Sequence, residues 1–309
     1  MKFIMAQLQT LGKELLIKEM KKSIPILSSS LHKGECGRIA VIGGSPEYSG
    51  APYFAAISAL RLGADLVHVF CAKEASSVIK SYSPELIVHS LLDSPNCLAS
   101  FAEWIPRMHA VVLGPGLGRD ANVLRNVSGI IKLIKQFDIP LVIDADGLFY
   151  INTNPQVIHG CKNVILTPNV VEFNRLFQSV IGISIDPSQP PNPQNVLTLA
   201  NQLGRVTILH KAENDIISDG VDINICEKLG SPRRCGGQGD LLSGMLATLL
   251  YWKVHDYDND HVTLSAACAA SNLCRMVNRK AFEIHGRGTL TSDMIPFISV
   301  AFRELFGQE

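Results

Sequence analysis

Gly236-Gly237-Gln238-Gly239-Asp240, running into Leu241-Leu242-Ser243-Gly244-Met245, is the stretch of this sequence best suited to chemistry. Glycines that enter a helix let backbone N–H groups come close to a ligand, and the helix N-terminus adds about half a positive charge. Together they make an anion site. An aspartate there would repel a phosphate, but it suits a general base. It would take a proton from a substrate hydroxyl while the amides stabilise a phosphoryl group in transfer. The plainer reading is an Asp N-cap after a flexible turn. Three glycines in four positions, with Arg233 and Arg234 just upstream, favour the ligand site. No GxxxxGK[ST] motif occurs, so a P-loop is excluded as the source of phosphate binding.

Other loops carry weaker signals. Gly116, Gly118 and Ala121, in and just after Gly114-Pro115-Gly116-Leu117-Gly118, satisfy the GxGxxA form of a dinucleotide fingerprint. The fingerprint expects an acid about 20 residues on, whereas Asp144 stands 28 residues after Gly116. A tight strand-to-helix turn and a ligand contact both remain open for this loop. Asn169-Val170-Val171-Glu172 has capping-box spacing, and the same two side chains on one face can order Mg²⁺-bound water beside phosphates. Asp144 and Asp146 end another strand, where they either line the same cleft or shape a turn. Lys211, in His210-Lys211-Ala212-Glu213-Asn214-Asp215, can pair with a nucleotide phosphate or simply be solvated. The nine histidines include no HxxxH or HxH pair, and the eight cysteines no CxxC, so no protein-ligated metal is expected.

These loops need a scaffold. Short β-branched runs at Arg38 to Ile42, Leu66 to Phe70, Ala110 to Leu113, Leu141 to Ile143, Val164 to Leu166 and Val206 to Leu209 predict strands. Helices are expected over Ala51 to Leu62, near Val123 to Phe137 and near Val196 to Leu203. Three more are expected at Leu241 to Leu250, His261 to Arg279 and Ser292 to Phe306. Ile216 to Ser218 and Val221 to Ile225 flank Asp219-Gly220, a hairpin pattern, and Asp186 to Pro193 reads as a Pro-rich loop. Continuous apolar strands separated by helices indicate an α/β fold, a mostly parallel sheet with helices on both faces. One domain is expected over 1–309, with 1–36 as an N-terminal leader or helix. Ligands in such sheets sit beyond the C-terminal strand ends.

Composition narrows the partners. Of 309 residues 47% are hydrophobic, and 28 Lys and Arg balance 28 Asp and Glu. No excess positive charge is available for nucleic acid or an anionic membrane. The first 22 residues contain Glu14 and Glu19 and no Arg, so neither a signal nor a transit peptide is expected there. No run approaches the roughly 18 apolar residues of a spanning helix. Reduced cysteines and a cytoplasmic setting follow, with a mitochondrial form from a longer precursor left open. A homo-oligomer is compatible with this reading.

The loops taken together resemble the ribokinase-like superfamily and, within it, the ATP-dependent NAD(P)H-hydrate dehydratases. The marks are Gly43-Gly44-Ser45 through Tyr48-Ser49-Gly50-Ala51-Pro52, Ser83-Pro84-Glu85, Gly114 to Gly118 and Asp144 to Gly147. They continue with Thr167-Pro168-Asn169, Glu172-Phe173 and Arg233 to Asp240. The resemblance spans Gly37 to Phe306. It implies repair of the S-configured hydrate of NADH or NADPH: ATP phosphorylates the ring hydroxyl, phosphate leaves, and the double bond returns. It further implies that Ala51, Gly116, Gly118, Asn169, Val170, Val171, Glu172, Phe173, Asn174 and Arg175 line the hydrated dinucleotide, with Asp240 as base. ATP would lie along Lys211, Ala212, Glu213, Asn214 and Asp215, and along Gly230, Ser231, Pro232, Arg233, Arg234, Cys235, Gly236, Gly237, Gln238 and Gly239. Mg²⁺ would come with ATP, through water near Glu172. Ala212 departs from the glycine common in relatives after the lysine. The alternatives are a small-molecule alcohol kinase of the same fold, or a non-catalytic nucleotide sensor.

Overall fold

The computed structural model describes residues 10–161, 163–186, 188–256 and 261–307. The first nine residues of the expected leader, and Pro187 of the expected Pro-rich loop, lie outside the described residues. Among the described residues nine strands form one sheet: β1 Arg38–Ile42, β2 Leu66–Cys71, β3 Ile87–Ser90, β4 Ala110–Leu113, β5 Leu141–Ile143, β6 Val164–Leu166, β7 Thr207–His210, β8 Asp215–Ser218 and β9 Ile223–Cys226. Their order is β3-β2-β1-β4-β5-β6-β7-β8-β9. The first seven pair in parallel, whereas β8 and β9 run antiparallel as the hairpin closed by Asp219-Gly220. The chain leaves β1 toward β2 and β3, then returns to β4 on the other side, so a switch point lies between β1 and β4.

Alternate residues of each strand serve two cores, because successive side chains point to opposite faces. Ile39 and Val41 enter one core, which is built with α1 Lys13–Lys22, α2 Gly50–Leu62, α3 Lys73–Tyr82, α9 Gln238–Val254, α10 Val262–His285, α11 Thr291–Met294 and α12 Ile298–Phe306. Ala40 and Ile42 enter the other, with α4 Cys97–Trp104, α5 Ala121–Gln136, α6 Asp146–Thr153, α7 Val170–Ile181 and α8 Pro193–Gln202. Helices therefore cover both faces, as the apolar strands require. The edge beyond β9 is occupied by the N-terminal segment. Leu11 donates its N–H to Ile223 O at 2.9 Å, and Asn224 Nδ2 donates to Leu11 O at 2.9 Å.

The structure departs from the expected elements in several places, and α6 and α7 lie outside the expected helices. The helix expected over Ser292 to Phe306 is broken into α11, a 3₁₀ turn at Ile295–Phe297 and α12. Pro296 lacks the N–H that would continue the α-ladder. Between Lys73 and Trp104 lie α3, β3 and α4, which the strand rhythm did not announce, because β3 is a four-residue edge strand carrying His89 and Ser90.

The helix α2, apolar nearly all round, packs on α9, whose residues Leu241–Lys253 are all buried. Gly244 makes the close approach possible, since a Cβ there would lie 1.9 Å from Ala55 O and 2.3 Å from Ser58 Oγ. This fixes α9, and with it Asp240, against the sheet. Gly244→Ala should lower stability by about 2 kcal/mol, because backbone overlap outweighs the roughly 1 kcal/mol that Ala gains in helix propensity. The chemical-denaturation midpoint is the readout; a midpoint at or above that of the parent would disprove the constraint.

Candidate active site

Asp240 is the third residue of α9, and the chain reaches it through Gly237 in the left-handed conformation at φ 95°. No side chain caps this helix. The N–H groups of Gln238, Gly239 and Asp240 therefore have no partner within the helix. Gly236 has open space where a Cβ would stand, whereas at Gly237 one would meet Phe54 at 2.8 Å. The start of α9 is thus uncapped and lined by glycine backbone.

Below it lies a group of charges that the strand ends bring together. Lys211, just past β7, places Nζ 2.8 Å from Asp144 Oδ1 just past β5. A Cβ on Gly239 would sit 3.2 Å from that Nζ and 3.6 Å from Asp144 Oδ2. Glu172 joins through the loop after β6, since Lys211 donates its backbone N–H to Pro168 O at 2.8 Å. Three carboxylates thus surround one ammonium. Burial first, then the Asp144 charge, pushes the Asp240 carboxyl well above the usual range, and Lys211 only partly opposes them. Burial likewise raises Glu172 against the pull of Lys211. For Lys211 burial works downward, but attraction to Asp144 and then Glu172 wins, so it stays a firm cation.

Asn169 and Glu172 form a complete capping box on α7: Asn169 Oδ1 accepts Glu172 N–H at 3.0 Å, and Glu172 Oε2 accepts Asn169 N–H at 2.8 Å. The cap and the charge cluster use the same glutamate. Val170, Val171 and Arg175 are exposed, and Asn174 is half-buried. Phe173 instead turns into the core and stacks on His210 at 4.2 Å. His210 has both ring nitrogens buried without a partner, and burial pushes it down to about 4, so it is neutral at physiological pH.

The loop Gly114 to Gly118 is packed against its neighbours. A Cβ on Gly114 would lie 1.9 Å from Asp144 O, and one on Gly116 2.2 Å from Tyr48 O. Gly118 donates its N–H to Asp146 Oδ2 at 3.0 Å, which joins this loop to the Asp144 turn. Between the two aspartates Ala145 has φ 49°, a conformation costing about 1–3 kcal/mol. Ala51, in the first turn of α2, is half-buried.

Residues expected along ATP fall into two groups. Asp215 is buried and fully engaged: Arg275 Nη2 and Nε reach its two oxygens at 2.6 and 3.0 Å, Ser271 Oγ donates at 2.7 Å, and Ala212 N–H at 3.0 Å. Arg275 also donates to the carbonyls of Ala212, Glu213 and Lys228, so it ties the loop before β8 to the one after β9. Glu213 and Asn214 are exposed. The 230–237 loop is held from α10 and α11. Asn278 Oδ1 accepts Ser231 N–H at 2.7 Å, Arg233 Nε donates to Thr289 O at 3.2 Å, and Thr291 Oγ1 donates to Gly236 O at 2.6 Å. Arg234 donates to Ser231 O, and Gln238 Nε2 to Arg233 O and Cys235 Sγ. Pro232 is exposed, and Gly230 packs near Asn278. The sequence reading missed Ser271, Arg275 and Asn278. Their signal was three polar residues at helical spacing along α10.

Comparison with known proteins bears on this arrangement. The sequence pattern of the family described as NAD(P)H-hydrate dehydratase matches residues 39–299. The human ATP-dependent (S)-NAD(P)H-hydrate dehydratase is 52% identical over 291 residues, covering 93% of this chain and 83% of that protein. Among solved structures, a ribokinase-like superfamily protein from Enterococcus faecalis superposes with a TM-score of 0.77 at 19% identity, covering 99% of each chain. The Bacillus subtilis ADP/ATP-dependent NAD(P)H-hydrate dehydratase co-crystallised with ATP/Mg²⁺ gives 0.70 at 21%, covering 96% of this chain and 99% of that one. The fold is ribokinase-like, and the chain belongs to the NAD(P)H-hydrate dehydratase family.

Proposed function

We infer that this protein removes water from the S-configured hydrate of NADH or NADPH at the expense of ATP, releasing ADP and phosphate. The observation that carries the reading is the uncapped, glycine-lined start of α9 beside Asp240, a carboxylate with a raised pKa. A raised pKa makes Asp240 a stronger base than an ordinary aspartate. It takes the proton of the ring hydroxyl, whose oxygen then bonds to the γ-phosphorus while the bond to ADP breaks. The N–H groups of Gln238 and Gly239 hold the charge that develops on the phosphoryl oxygens. Phosphate then leaves with the electron pair of the carbon–oxygen bond, a proton leaves the neighbouring ring carbon, and the double bond is restored. Hydroxide leaves poorly and phosphate well, which is why a dehydration needs a kinase-like site.

Lys211 lies with Asp144 beneath Gly239, so in this reading its charge steadies Asp240. The Arg275–Asp215 clamp shapes the loop along which ATP lies, and Asp215 acts through that clamp rather than by direct contact. The exposed faces of Asn169, Val170 and Val171, with Gly118 and Ala51, would line the dinucleotide. Among the described residues no three His, Cys, Asp or Glu side chains converge on a metal ion. Mg²⁺ generally takes one or two carboxylates together with phosphates and water, and Glu172 and Asp144 would supply such carboxylates. When bound with ATP, it would neutralise phosphate charge. All eight cysteines are free thiols, which suits a cytoplasmic setting. No helix of the described residues is long and apolar enough to cross a membrane.

Purified protein with Mg-ATP and the hydrate of NADH should restore NADH absorbance and release ADP and phosphate together; ATP use without NADH would sink the reading. Asp240→Asn should lower turnover by about 10²–10⁴-fold while sparing ATP binding. A carboxyl whose pKa is raised by folding favours the folded state below its unfolded pKa and loses that contribution as pH rises through the folded value. The same variant should therefore melt at or above the parent at neutral pH.

The acid limb of the pH–rate profile reports Asp240 losing its proton. Lys211→Met removes the charge that lowers Asp240, so the limb should move to higher pH. Asp144→Asn removes a charge that raises Asp240, so the limb should move lower. Shifts in the same direction would refute the coupling.

A further inference from the structure

His210 is the last residue of β7 and only 2% exposed, yet neither ring nitrogen has a hydrogen-bond partner among the described residues. Leaving such a group unsatisfied is costly, and an apolar side chain would fill the place without that cost. The ring lies nearly flat on Phe173, with 15° between the planes and 4.2 Å between the centres. Against the same two residues opens a cavity of about 10 Å³, which Asn174 and Asn195 also line. That volume takes about one water, and a buried water needs about two to four polar partners. His210, Asn174 and Asn195 supply them. Being neutral, the imidazole has one donor and one acceptor to offer.

The ring stands one residue from the reacting cluster. Successive residues of a strand point to opposite faces, so His210 faces α7 while Lys211 reaches Asp144 beneath α9. The same step occurs on α7, where the charge of Glu172 acts on Lys211 and the ring of Phe173 meets His210. The ladder between β6 and β7 has its last pair at Leu166 and Ile208. Beyond it the backbone of Lys211 is tied back by its N–H to Pro168 O at 2.8 Å. On the far side Arg275 Nη2 donates to Ala212 O at 2.9 Å, and Asp215 Oδ1 accepts Ala212 N–H at 3.0 Å. Lys211 thus leaves the strand between two anchors, Ala212 ahead of it and His210 behind. We propose that His210 is a positioning residue: with one water in the cavity, its ring is locked flat on Phe173 and fixes the direction in which Lys211 leaves β7 toward Asp144. A water bonded to one ring nitrogen stops the ring from turning, and the flat stack sets the height of the strand end over α7. A side chain without the ring lets that end settle, and Lys211 then swings out of the cluster. The proposal rests on the dehydratase reading for the reaction it serves.

The test combines steady-state kinetics, with Mg-ATP and the hydrate of NADH, and a double-variant cycle. His210→Leu should lower kcat about tenfold, a coupling usual within one network, with KM for ATP changed by less than about twofold. Its thermal midpoint should stay close to the parent's, because an apolar side chain replaces a buried polar one. Phe173→Leu removes the stack from the α7 side and should give the same loss of kcat. On a Lys211→Met background either change should lower kcat by less than about twofold further, because the group being positioned is gone. A crystal structure of the parent should show an ordered water joining a His210 ring nitrogen to Asn174 or Asn195. Parental kcat in His210→Leu and Phe173→Leu, losses that simply add to that of Lys211→Met, or a ring without that water overturns the proposal and leaves the dehydratase reading standing. No turnover by the parent overturns both.

Discussion

Three carboxylates around one ammonium is the constraint on which this site depends. Asp144, Glu172 and Asp240 arrive from the ends of β5 and β6 and from the start of α9, and Lys211 from the end of β7. They can crowd together because residue 239 has no side chain and α9 comes down over the ion pair. A single positive charge cannot satisfy three negative ones, so protons are held more tightly there than in water. The same imbalance that makes Asp240 basic also opposes folding at neutral pH. The structure offsets it elsewhere, in the buried run Leu241–Lys253 of α9 and in the tight seam that Gly244 permits with α2. Activity and stability pull against each other at this one point.

Much of the scaffold was legible in the sequence because parallel strands buried on both faces leave continuous apolar runs. The strands at Arg38, Ala110, Leu141 and Val164 begin where those runs begin. Less legible was anything that depends on an edge or a break, such as β3, whose four residues include a histidine and a serine, or the division of the last helix at Pro296. In the site, the glycines near Asp240 announced the uncapped, glycine-lined start of α9, and the Asn169–Glu172 spacing announced a cap. What neither spacing nor residue type could announce was that Lys211 would meet Asp144, a partner 67 residues away. Lys211, readable from the sequence as a solvated side chain or a phosphate partner, stands here 2.8 Å from Asp144. Phe173 illustrates the converse. It lies in a stretch expected to face ligand, yet helical periodicity turns it inward onto His210.

Of the five non-glycine residues with positive φ among the described residues, Ala145 stands where the site is assembled. Ala145 adopts φ 49° between two aspartates that serve different neighbours, one facing Lys211 and the other holding the amide of Gly118. An unstrained turn would send the two carboxylates along a more regular path, and one of these links would be lost. The Gly114 loop locks the turn from the other side, since its own missing side chain leaves room for Asp144 O. Two loops from separate strands are thus fixed as one unit with the Lys211–Asp144 pair.

The N-terminal segment has a role apart from chemistry. By pairing Leu11 with Ile223, it covers backbone groups of β9 that would otherwise lie open at the rim of a nine-stranded sheet. Exposed strand rims recruit other chains and seed aggregation. Proteolytic trimming past Leu11 would uncover that rim while leaving every residue of the reacting centre in place. The damage would show first as loss of colloidal solubility, in a protein still able to turn over its substrate.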